Sequence, residues 1–315
     1  MQVKKSNKHK KKIKSNLLKY WFFYLLLLPA VILYFVFAYM PMPGVVLAFK
    51  NFNFSDGIWK SPWVGLENFY SFFQSKFFLT TTRNTLIINF LNLIVGTSSA
   101  IFFALLLNEL FADRMKKLYQ SILFLPTFFS VLLIGRFVNL VFNDERGILN
   151  NFLTSIGLES IPWYQSPQYW IPIIIFVYVW KGVGYGLIIY LAGMVNIDED
   201  LYEAAAIDGA GKLQMIFKIT LPLIKPTIIT MVLLSVGRMF YGDFQMIYAI
   251  VGTSNPDLLE SLDIIETYLY RSVMQGNINY GLATAIGLYQ TLLGFIFIFG
   301  TNTIIKRINK DYALF

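Results

Sequence analysis

The residue types that usually carry catalysis are scarce in this sequence. It contains no cysteine and a single histidine, His9, which lies inside a run of lysines. Thiolate nucleophiles, cysteine-ligated metals and histidine acid–base chemistry are therefore excluded. The only D-x-D pattern, Asp198-Glu199-Asp200, is placed where it can charge and cap the start of a helix. We expect no catalytic residue and no metal ligand, which argues against a membrane-embedded transferase or protease.

A loop that could cradle the phosphates of ATP is also missing. The only Gly-Lys pair, Gly211-Lys212, lacks the glycine five residues before Gly211 and is not followed by serine or threonine. The pattern of a nucleotide-binding P-loop is therefore not met. We conclude that this chain carries no ATPase site of that type.

Ionisable side chains inside otherwise apolar segments are the remaining candidates for chemistry. Four lie there: Arg136, Lys181, Arg238 and Asp243. Such a side chain costs at least about 2.5 to 3.5 kcal/mol at bilayer depth, so it usually faces a partner or a wet cavity. Arg238 and Asp243 are five residues apart, which does not give the favoured i, i+4 helical pair. We expect Asp243 to meet Lys181 or Arg136 from another span.

Aromatic and amide side chains near these charges complete a predicted polar path through the membrane. The residues of this path are Arg136, Trp180, Lys181, Tyr185, Arg238, Tyr241, Asp243, Gln245 and Gln290. The alternative is a structural ion pair together with basic side chains that reach along a helix to the membrane surface.

The composition indicates that a membrane protein positions these residues. Of the 315 residues, 56% are hydrophobic and 14% are charged, whereas soluble chains carry roughly 25% charged residues. Six apolar segments are long enough to cross about 30 Å of hydrocarbon as helices, and none has the alternation of a barrel strand. The segments are residues 21–40, 85–107, 119–142, 169–195, 227–251 and 282–305. The predicted fold is all-α, with six transmembrane helices.

Basic residues predict how the chain is oriented. The segments on the side of the two termini carry 17 Lys and Arg residues, and the opposite segments carry six. By the positive-inside rule both termini are cytoplasmic. Eight of the 17 lie in residues 1–20, which we interpret as a Lys-rich cytoplasmic tail that anchors on anionic lipid. The first span is expected to be retained, because no A-x-A cleavage pattern follows it.

The rest of the chain divides accordingly. Residues 41–84 are predicted to form an extracellular segment. Within it, residues 66–80 have apolar side chains at near-helical spacing, which indicates a helix that lies at the outer membrane surface or packs on the bundle. Residues 85–305 are predicted to form a core of five transmembrane helices, and residues 306–315 a cytoplasmic tail.

Among the cytoplasmic segments, residues 196–226 are both long and chemically patterned. The acidic run at 198–200 suits the start of a helix, and Gly209 can end it in a left-handed turn. We therefore predict a short helix of about ten residues that ends at Gly209, followed by a second short helix over residues 212–219. Small side chains on the first helix would let a partner surface approach its backbone closely.

The same loop contains Glu203-Ala204-Ala205, three residues, Gly209, nine residues and then Ile219-Thr220-Leu221-Pro222. This arrangement resembles the EAA loop of ABC importer permeases, E-A-A-x3-G-x9-I-x-L-P, with every named position filled. With six spans, cytoplasmic termini and the loop between the fourth and fifth spans, the chain is similar to the maltose-permease-like (MalF/MalG) carbohydrate group of type I importers. Residues 41–53, 61–69 and 202–211 look most like the LplB-type permeases, which are associated with the uptake of oligosaccharides and complex glycans.

The resemblance implies an importer of several subunits that passes an oligosaccharide from an extracellular binding lipoprotein into the cytoplasm. Two permeases would pair as a heterodimer, and two cytoplasmic ATPases, which hold ATP and Mg, would bind the EAA loops. The residues implied to couple this chain to an ATPase are Glu203, Ala204, Ala205, Asp208, Gly209, Ile219, Leu221 and Pro222. This chain itself would need no cofactor and catalyse no reaction.

Two alternatives are considered beside this interpretation. One is a secondary transporter driven by an ion gradient, and the other is an ABC importer of a solute that is not a carbohydrate. Secondary transporters commonly show inverted repeats with broken helices at matching positions, whereas the intramembrane charges here cluster in the third to fifth spans. The Lys-rich and Asn-rich composition is typical of a Gram-positive bacterium, so we expect a plasma-membrane protein of such a cell.

Overall fold

The computed structural model describes residues 19–110, 112–252, 255–274, 279–310 and 313. Over these residues the chain is built of helices, and the one pairing of extended residues, Lys50 with Trp63, is an isolated bridge. The predicted all-α class is confirmed. The Lys-rich run of the N-terminal tail, with His9, lies outside the described residues. In chain order the α-helices are α1 (Trp21–Tyr34), α2 (Gly57–Lys60), α3 (Glu67–Phe73), α4 (Lys76–Asn108), α5 (Asp113–Phe124), α6 (Val131–Phe142), α7 (Ile148–Ser155), α8 (Trp170–Val195), α9 (Asp200–Ile207), α10 (Lys212–Met215), α11 (Leu221–Val236), α12 (Phe244–Val251), α13 (Pro256–Leu262), α14 (Ile265–Met274) and α15 (Tyr280–Ile308).

Five helical stretches of the described chain are long and apolar enough to cross a membrane, and a bent pair of helices raises the number to six. The stretches, called the first to the sixth span below, are Trp21–Phe49, Lys76–Asn108, Asp113–Phe128 with Val131–Phe142, Pro167–Val195, Lys212–Val236 and Tyr280–Arg307. The predicted number of spans is matched when the bent pair counts as one. Two of the predicted segments, however, are not single helices.

The third span bends by 96° between its two helices. Pro126 lies in a tight helical turn after α5, and Phe129 is extended at φ −70° and ψ 134°. Ser130 then starts α6, because its Oγ accepts a hydrogen bond from the amide of Leu133 at 3.3 Å. The prediction of one helix over residues 119–142 is therefore wrong, since an extended residue and a helix cap interrupt it.

The predicted helix over residues 227–251 is wrong as well. α11 and α12 are separated by residues 237–243, which are not α-helical and are called the break below. Asp243 ends the break, because its Oδ1 accepts a hydrogen bond from the amide of Met246 at 3.0 Å and so caps α12. The fifth span extends instead towards the EAA loop, through the wide turn Ile216–Thr220.

The fourth span lies at the centre of the packing. It packs along the second span, and it supplies buried side chains to two apolar cores, Trp170 and Ile174 to one and Leu187 to the other. Gly184 allows the third span to approach closely, because a Cβ at this position would lie 2.4 Å from the carbonyl oxygen of Leu123. The second, third and fourth spans therefore form a frame that holds other elements in place.

The first span packs differently. Within the described residues α1 contains no buried side chain, and the turn that follows it, Met42–Phe49, makes the packing contact with α15. The apolar surface of α1 is therefore free to face lipid or another chain.

The outer helix predicted over residues 66–80 is shorter than expected. α3 ends at Phe73, and residues 74–75 separate it from the start of α4. Phe72 is buried against Ile265 and Ile286, so the helix is packed on the bundle through this side chain.

Candidate functional site

An open cleft lies between the second span, the fourth span and the break. Its volume is about 860 Å³, which is within the range of about 300 to 1,000 Å³ that is typical of ligand sites. Asn89, Asn92 and Gly96 line it from the second span. Because residues three and four apart share one face of a helix, this spacing turns a polar and small-sided stripe of an otherwise apolar span towards the cleft. Tyr178 and Tyr185 line the opposite wall from the fourth span.

Five of the nine residues of the predicted path line this cleft. They are Tyr185, Arg238, Tyr241, Asp243 and Gln245. Tyr185 is 60% exposed on the fourth span, and the other four come from the break and the first turn of α12. The break therefore brings together side chains that a straight fifth span would have spread along a helix.

The other four residues of the predicted path lie elsewhere. The ammonium of Lys181 donates hydrogen bonds to the carbonyl oxygens of Phe129 at 2.8 Å and Thr127 at 3.3 Å. It thus stabilises the bend of the third span. Trp180 packs beside it, with its ring centroid 6.2 Å from that of Phe129. Arg136 is exposed on α6, away from the residues that line the cleft.

Gln290 is buried on the sixth span, with 3% of its surface exposed, and does not line the cleft. Its Nε2 donates hydrogen bonds to the carbonyl oxygen of Phe240 at 2.8 Å and to Oε1 of Glu266 at 2.9 Å. It therefore contacts the break without lining the cleft.

The expected ion pair of Asp243 with Lys181 or Arg136 is not formed. Among the described residues the ion pairs are Lys212 with Glu109 and Arg271 with Asp263. The carboxylate of Asp243 caps α12 instead, and the ammonium of Lys181 is used by backbone carbonyls. Local hydrogen bonds have thus taken the place of the predicted long-range pair.

The cleft carries little net charge. Its charged lining residues are Arg238 and Asp243, which are opposite in sign. The predicted path contained three basic residues and one acidic residue, a balance that would have suited a ligand with carboxylates. Among the described residues, only one basic and one acidic residue line the cleft. In the part of the chain that the structure describes, no group of three or more His, Asp or Glu side chains could hold a metal ion.

Sequence reasoning missed the uncharged polar residues of the second span. Asn89 donates hydrogen bonds from Nδ2 to the carbonyl oxygens of Met239 and Tyr241, both at 2.9 Å. The signal was present in the sequence, because Asn89 and Asn92 are three residues apart in an apolar segment. The prediction started from ionisable side chains in apolar segments, and these two asparagines are uncharged.

The EAA loop, residues 196–226, begins with the short helix α9 and a turn. The predicted separate short helix over residues 212–219 is wrong, because α10 continues through the wide turn Ile216–Thr220 into α11 as the start of the fifth span. α9 ends in a left-handed turn at Gly209, whose φ is +79°. The amide of Gly209 donates to the carbonyl of Ala206 at 3.0 Å, and the amide of Ala210 donates to the carbonyl of Ala205 at 2.9 Å. This is the Schellman pattern that favours glycine at the left-handed position. The predicted glycine stop is confirmed, and the helix itself ends at Ile207, two residues earlier.

The eight predicted coupling residues divide into two groups. Glu203, Ala204, Asp208, Gly209 and Pro222 are exposed, and Ala205 is half-buried on the same short helix. Ile219 and Leu221 are also half-buried, and Leu221 packs against the core formed by the second and fourth spans. The first group thus offers an outward surface, while the second ties the loop to the bundle.

Two polar contacts hold the loop in place. The hydroxyl groups of Tyr202 and Thr220 are 2.9 Å apart, and Thr220 is buried. The Lys212 ammonium lies 3.0 Å from a carboxylate oxygen of Glu109, at the end of the second span. The loop is therefore connected to both the second and the fifth spans. Its exposed apolar side chains include Ile207, of which 87% is accessible.

Five apolar spans and a bent pair that makes a sixth, together with a polar cleft, are the architecture of a multi-pass membrane permease. Residues 94–310, more than half of the chain, match the family of binding-protein-dependent transport system inner membrane components. The chain belongs to this family, and the predicted relationship to ABC importer permeases is confirmed.

Relatives of known name support the LplB-type branch. The chain is 34% identical to Protein LplB of Bacillus subtilis (strain 168) over 289 residues, which cover 91% of this chain and 89% of LplB. It is 32% identical to the polygalacturonan/rhamnogalacturonan transport system permease protein YteP of the same organism over 303 residues, which cover 96% of this chain and 93% of YteP.

Solved structures give the same result for the fold. A chain of a bacterial ABC transporter involved in the import of the acidic polysaccharide alginate superposes with a TM-score of 0.85 at 33% identity, covering 95% of this chain and 99% of that chain. A chain from the alginate transporter in complex with an alginate pentasaccharide-bound periplasmic protein gives a TM-score of 0.84 at 33% identity, covering 94% and 98%.

Proposed function

We propose that this protein is the transmembrane permease subunit of an ATP-driven importer of oligosaccharides. The observation that carries the proposal is the agreement of family, fold and site: a permease whose polar cleft is bounded by two spans and by the break. The relative YteP is named for the transport of polygalacturonan and rhamnogalacturonan, and the structural neighbour imports alginate. From these two proteins we infer the class of substrate of this chain, an oligosaccharide.

The lining of the cleft suits this substrate. The amide of Asn92 and the oxygens of the Asn89 and Ser235 side chains offer hydrogen bonds to sugar hydroxyls, since the donors of Asn89 and Ser235 bond backbone carbonyls. Tyr178 and Tyr185 offer rings to the apolar face of a pyranose. Because the two charges in the cleft balance, charge alone favours neither an acidic nor a neutral oligosaccharide.

The EAA loop is proposed to dock on a cytoplasmic ATPase, which together with a second ATPase holds ATP and Mg. Glu203 is exposed next to the small Ala204, and Ile207 is 87% exposed. An apolar side chain at this exposure, beside an acidic one, is suited to a cleft on a partner with a basic group. The contacts of Tyr202 with Thr220 would transmit movement of the docked helix to the fifth span.

The orientation and the other partners follow from the same proposal. The ion pair of Lys212 with Glu109 places the end of the second span and the EAA loop at one face of the protein, and we propose that this face is the cytoplasmic one. The opposite face would receive an extracellular binding lipoprotein. A second permease would complete a heterodimer around the cleft.

The proposal is tested with membrane vesicles that contain the complete importer, a labelled oligosaccharide and the binding lipoprotein. Uptake should require ATP on the cytoplasmic side and should be unaffected by ionophores that collapse ion gradients. Neutral and acidic oligosaccharides are compared in the same vesicles. Uptake that follows an ion gradient without ATP would instead support a secondary transporter, and uptake of only non-carbohydrate solutes would overturn the substrate class.

A further inference from the structure

The break, which follows the fifth span and precedes α12, exposes backbone groups that an α-helix would have paired. In the hydrocarbon region such groups must be satisfied within the protein, and non-helical backbone is tolerated only where it is buried or lines a wet cavity. Four of these groups are satisfied by side chains from three other parts of the chain. Asn89 on the second span accounts for two of them, the carbonyls of Met239 and Tyr241.

The other two groups are held by Glu266 and Gln290. Oε1 of Glu266 accepts a hydrogen bond from the amide of Gly242 at 2.8 Å, and Nε2 of Gln290 donates one to the carbonyl of Phe240 at 2.8 Å. The two side chains are also joined to each other, at 2.9 Å between Nε2 and Oε1. Glu266 on α14 and Gln290 on α15 therefore form one clamp on the break, called the Glu266–Gln290 clamp below.

The clamp is closely fitted to the break at Gly242. A Cβ on this residue would lie 2.5 Å from Cδ1 of Ile264 and 2.7 Å from Oε2 of Glu266. The backbone of the break therefore lies directly against the carboxylate, with no room for a side chain between them.

The clamp and the cleft meet the break through different residues. Glu266 and Gln290 are absent from the lining of the cleft, whereas Arg238, Tyr241 and Asp243, which belong to the break itself, line it. We propose that the Glu266–Gln290 clamp is a positioning device for the transport site: it keeps residues 237–243 from continuing α11 as a helix, so that these three side chains face the substrate. This role deepens the proposed import function and rests on it.

The absence of cysteine from this chain allows a direct test of this position. Arg238→Cys places a single thiol on the break, and Tyr185→Cys places one on the opposite wall of the cleft. Each is made in the full-length chain, within the assembled importer in membrane vesicles. The rate at which a small, water-soluble thiosulfonate labels this chain is then measured by mass, without substrate.

Replacing Gln290 with Met removes the amide and keeps the length of the side chain. The carbonyl of Phe240 and the carboxylate of Glu266 then lose their shared donor, and the break can satisfy its backbone in lipid by extending α11. Labelling of Arg238→Cys should slow by about fivefold or more, the smallest change that a buried hydrogen bond of this kind supports. Labelling of Tyr185→Cys should stay within about twofold, since it lies on the fixed fourth span.

Two further variants separate the clamp from general damage. Thr284→Val is the matched control, because it removes a hydroxyl from the same helix that bonds only the carbonyl of Tyr280, within that helix. It should leave both labelling rates unchanged. Glu266→Gln keeps an acceptor oxygen for the amide of Gly242 and should behave like the parent, while Glu266→Met should behave like Gln290→Met. If Gln290→Met fails to accumulate, the labelling rates of Arg238→Cys in Glu266→Gln and in Glu266→Met are compared instead, and a slower rate in Glu266→Met supports the clamp.

An unchanged labelling rate at Arg238→Cys in both Gln290→Met and Glu266→Met, with normal assembly, would overturn the proposal. So would an equal slowing at Tyr185→Cys, which would indicate that the whole cleft has become less accessible and not the break alone. Uptake is then measured in parallel, and Gln290→Met should lower it while ATPase subunits remain bound. Because labelling needs no substrate, a failure of the import function itself would appear as absent uptake in the parent and would leave the labelling result intact.

Discussion

The EAA loop and the cleft are built in opposite ways. The loop is formed by neighbouring residues: the helix, its glycine stop and the exposed surface proposed to dock on an ATPase all lie within residues 196–226. The cleft is assembled from distant residues, and its break depends on side chains from the second span, α14 and the sixth span.

The two regions therefore depend on different contacts for their proposed functions: local ones in the loop and long-range ones in the cleft. A docking helix has to be presented to another protein, so a local pattern with one left-handed turn is sufficient. A transport site has to expose polar side chains inside a membrane, and its irregular backbone must be satisfied by contacts from elsewhere. We therefore expect the loop to be sensitive to single backbone changes, and the cleft to be sensitive to changes in residues that do not touch the substrate.

The largest effect is expected at the turn of the EAA loop. Gly209→Val places a β-branched residue at φ +79°, where a non-glycine residue costs of order 1 to 3 kcal/mol. Uptake should fall by about 10- to 100-fold as the docking helix loses its stop. The change is measured as ATP-dependent uptake and as recovery of ATPase subunits with the purified chain.

Gly211→Ala is the matched control for this variant. Gly211 lies two residues further on, with φ −75° and no atom within 4 Å of an added Cβ, so alanine fits there without strain. Uptake within about twofold of the parent is expected for Gly211→Ala. Equal losses in both variants would show that the loop responds to any substitution and not to the left-handed turn.

In the cleft, two substitutions of Asp243 distinguish its role as the cap of α12 from the role of its negative charge. Asp243→Asn keeps an oxygen for the amide of Met246, whereas Asp243→Ala removes it and should cost about 0.5 to 2 kcal/mol of helix stability. We expect Asp243→Ala to lose thermal stability and uptake, and Asp243→Asn to lose uptake or change the preferred oligosaccharide at normal stability. Unchanged uptake kinetics in Asp243→Asn would restrict this residue to its capping role.

A smaller effect is expected where the loop joins the fifth span. Tyr202→Phe removes the hydroxyl that lies 2.9 Å from that of Thr220, a contact of about 0.5 to 1.5 kcal/mol. The docked helix should still bind its ATPase, while uptake per ATP hydrolysed falls by about 2- to 10-fold. Reduced recovery of the ATPase, with an unchanged ratio of uptake to hydrolysis, would show that Tyr202 acts in docking and not in coupling.

The smallest effect concerns the clamp and pH. Burial raises the pKa of Glu266 above 4.5, although the amide of Gly242 and the side chain of Gln290 lower it in part. The folded protein therefore binds a proton at this carboxyl more readily than the unfolded chain does, so stability falls as pH rises from about 4.5 through the raised pKa. Glu266→Gln removes this loss, and its melting temperature should exceed that of the parent by a few degrees at pH 8.

The same difference should vanish near pH 4, where the carboxyl is protonated in both states. Glu159→Gln, at an exposed position, is the control and should leave the melting temperature unchanged at both values. A destabilised Glu266→Gln at pH 8 would show that the clamp needs the charge and not only the acceptor oxygen.

The sequence predicts those parts of the protein that depend on neighbouring residues or on a property summed over a segment. Hydropathy is a sum over a segment, so the number of spans and the all-α class were accessible. The stop at Gly209 was also accessible, because only a glycine readily takes that backbone conformation. The EAA spacing from Glu203 to Pro222 then identified the family from a single loop.

The break could not be predicted from the sequence, because the side chains that stabilise it are distant in the chain. Asn89 bonds a carbonyl 150 positions away, and Gln290 bonds one 50 positions away. Hydropathy favoured one helix through residues 227–251, and the bend of the third span was hidden for the same reason. Lys181 was placed in the path as a candidate partner of Asp243, whereas backbone carbonyls freed by that bend satisfy it.

We propose that this chain works as one permease of an ATP-driven importer, coupled through the EAA loop. The most direct test is purification of the tagged, full-length chain from its native membrane, with mass identification of every protein and glycan that accompanies it. We predict recovery of a second permease with its own EAA loop, an ATPase with a P-loop and a bound oligosaccharide, and loss of the ATPase from Gly209→Val. An intact preparation that contains this chain alone and transports without ATP would contradict the account.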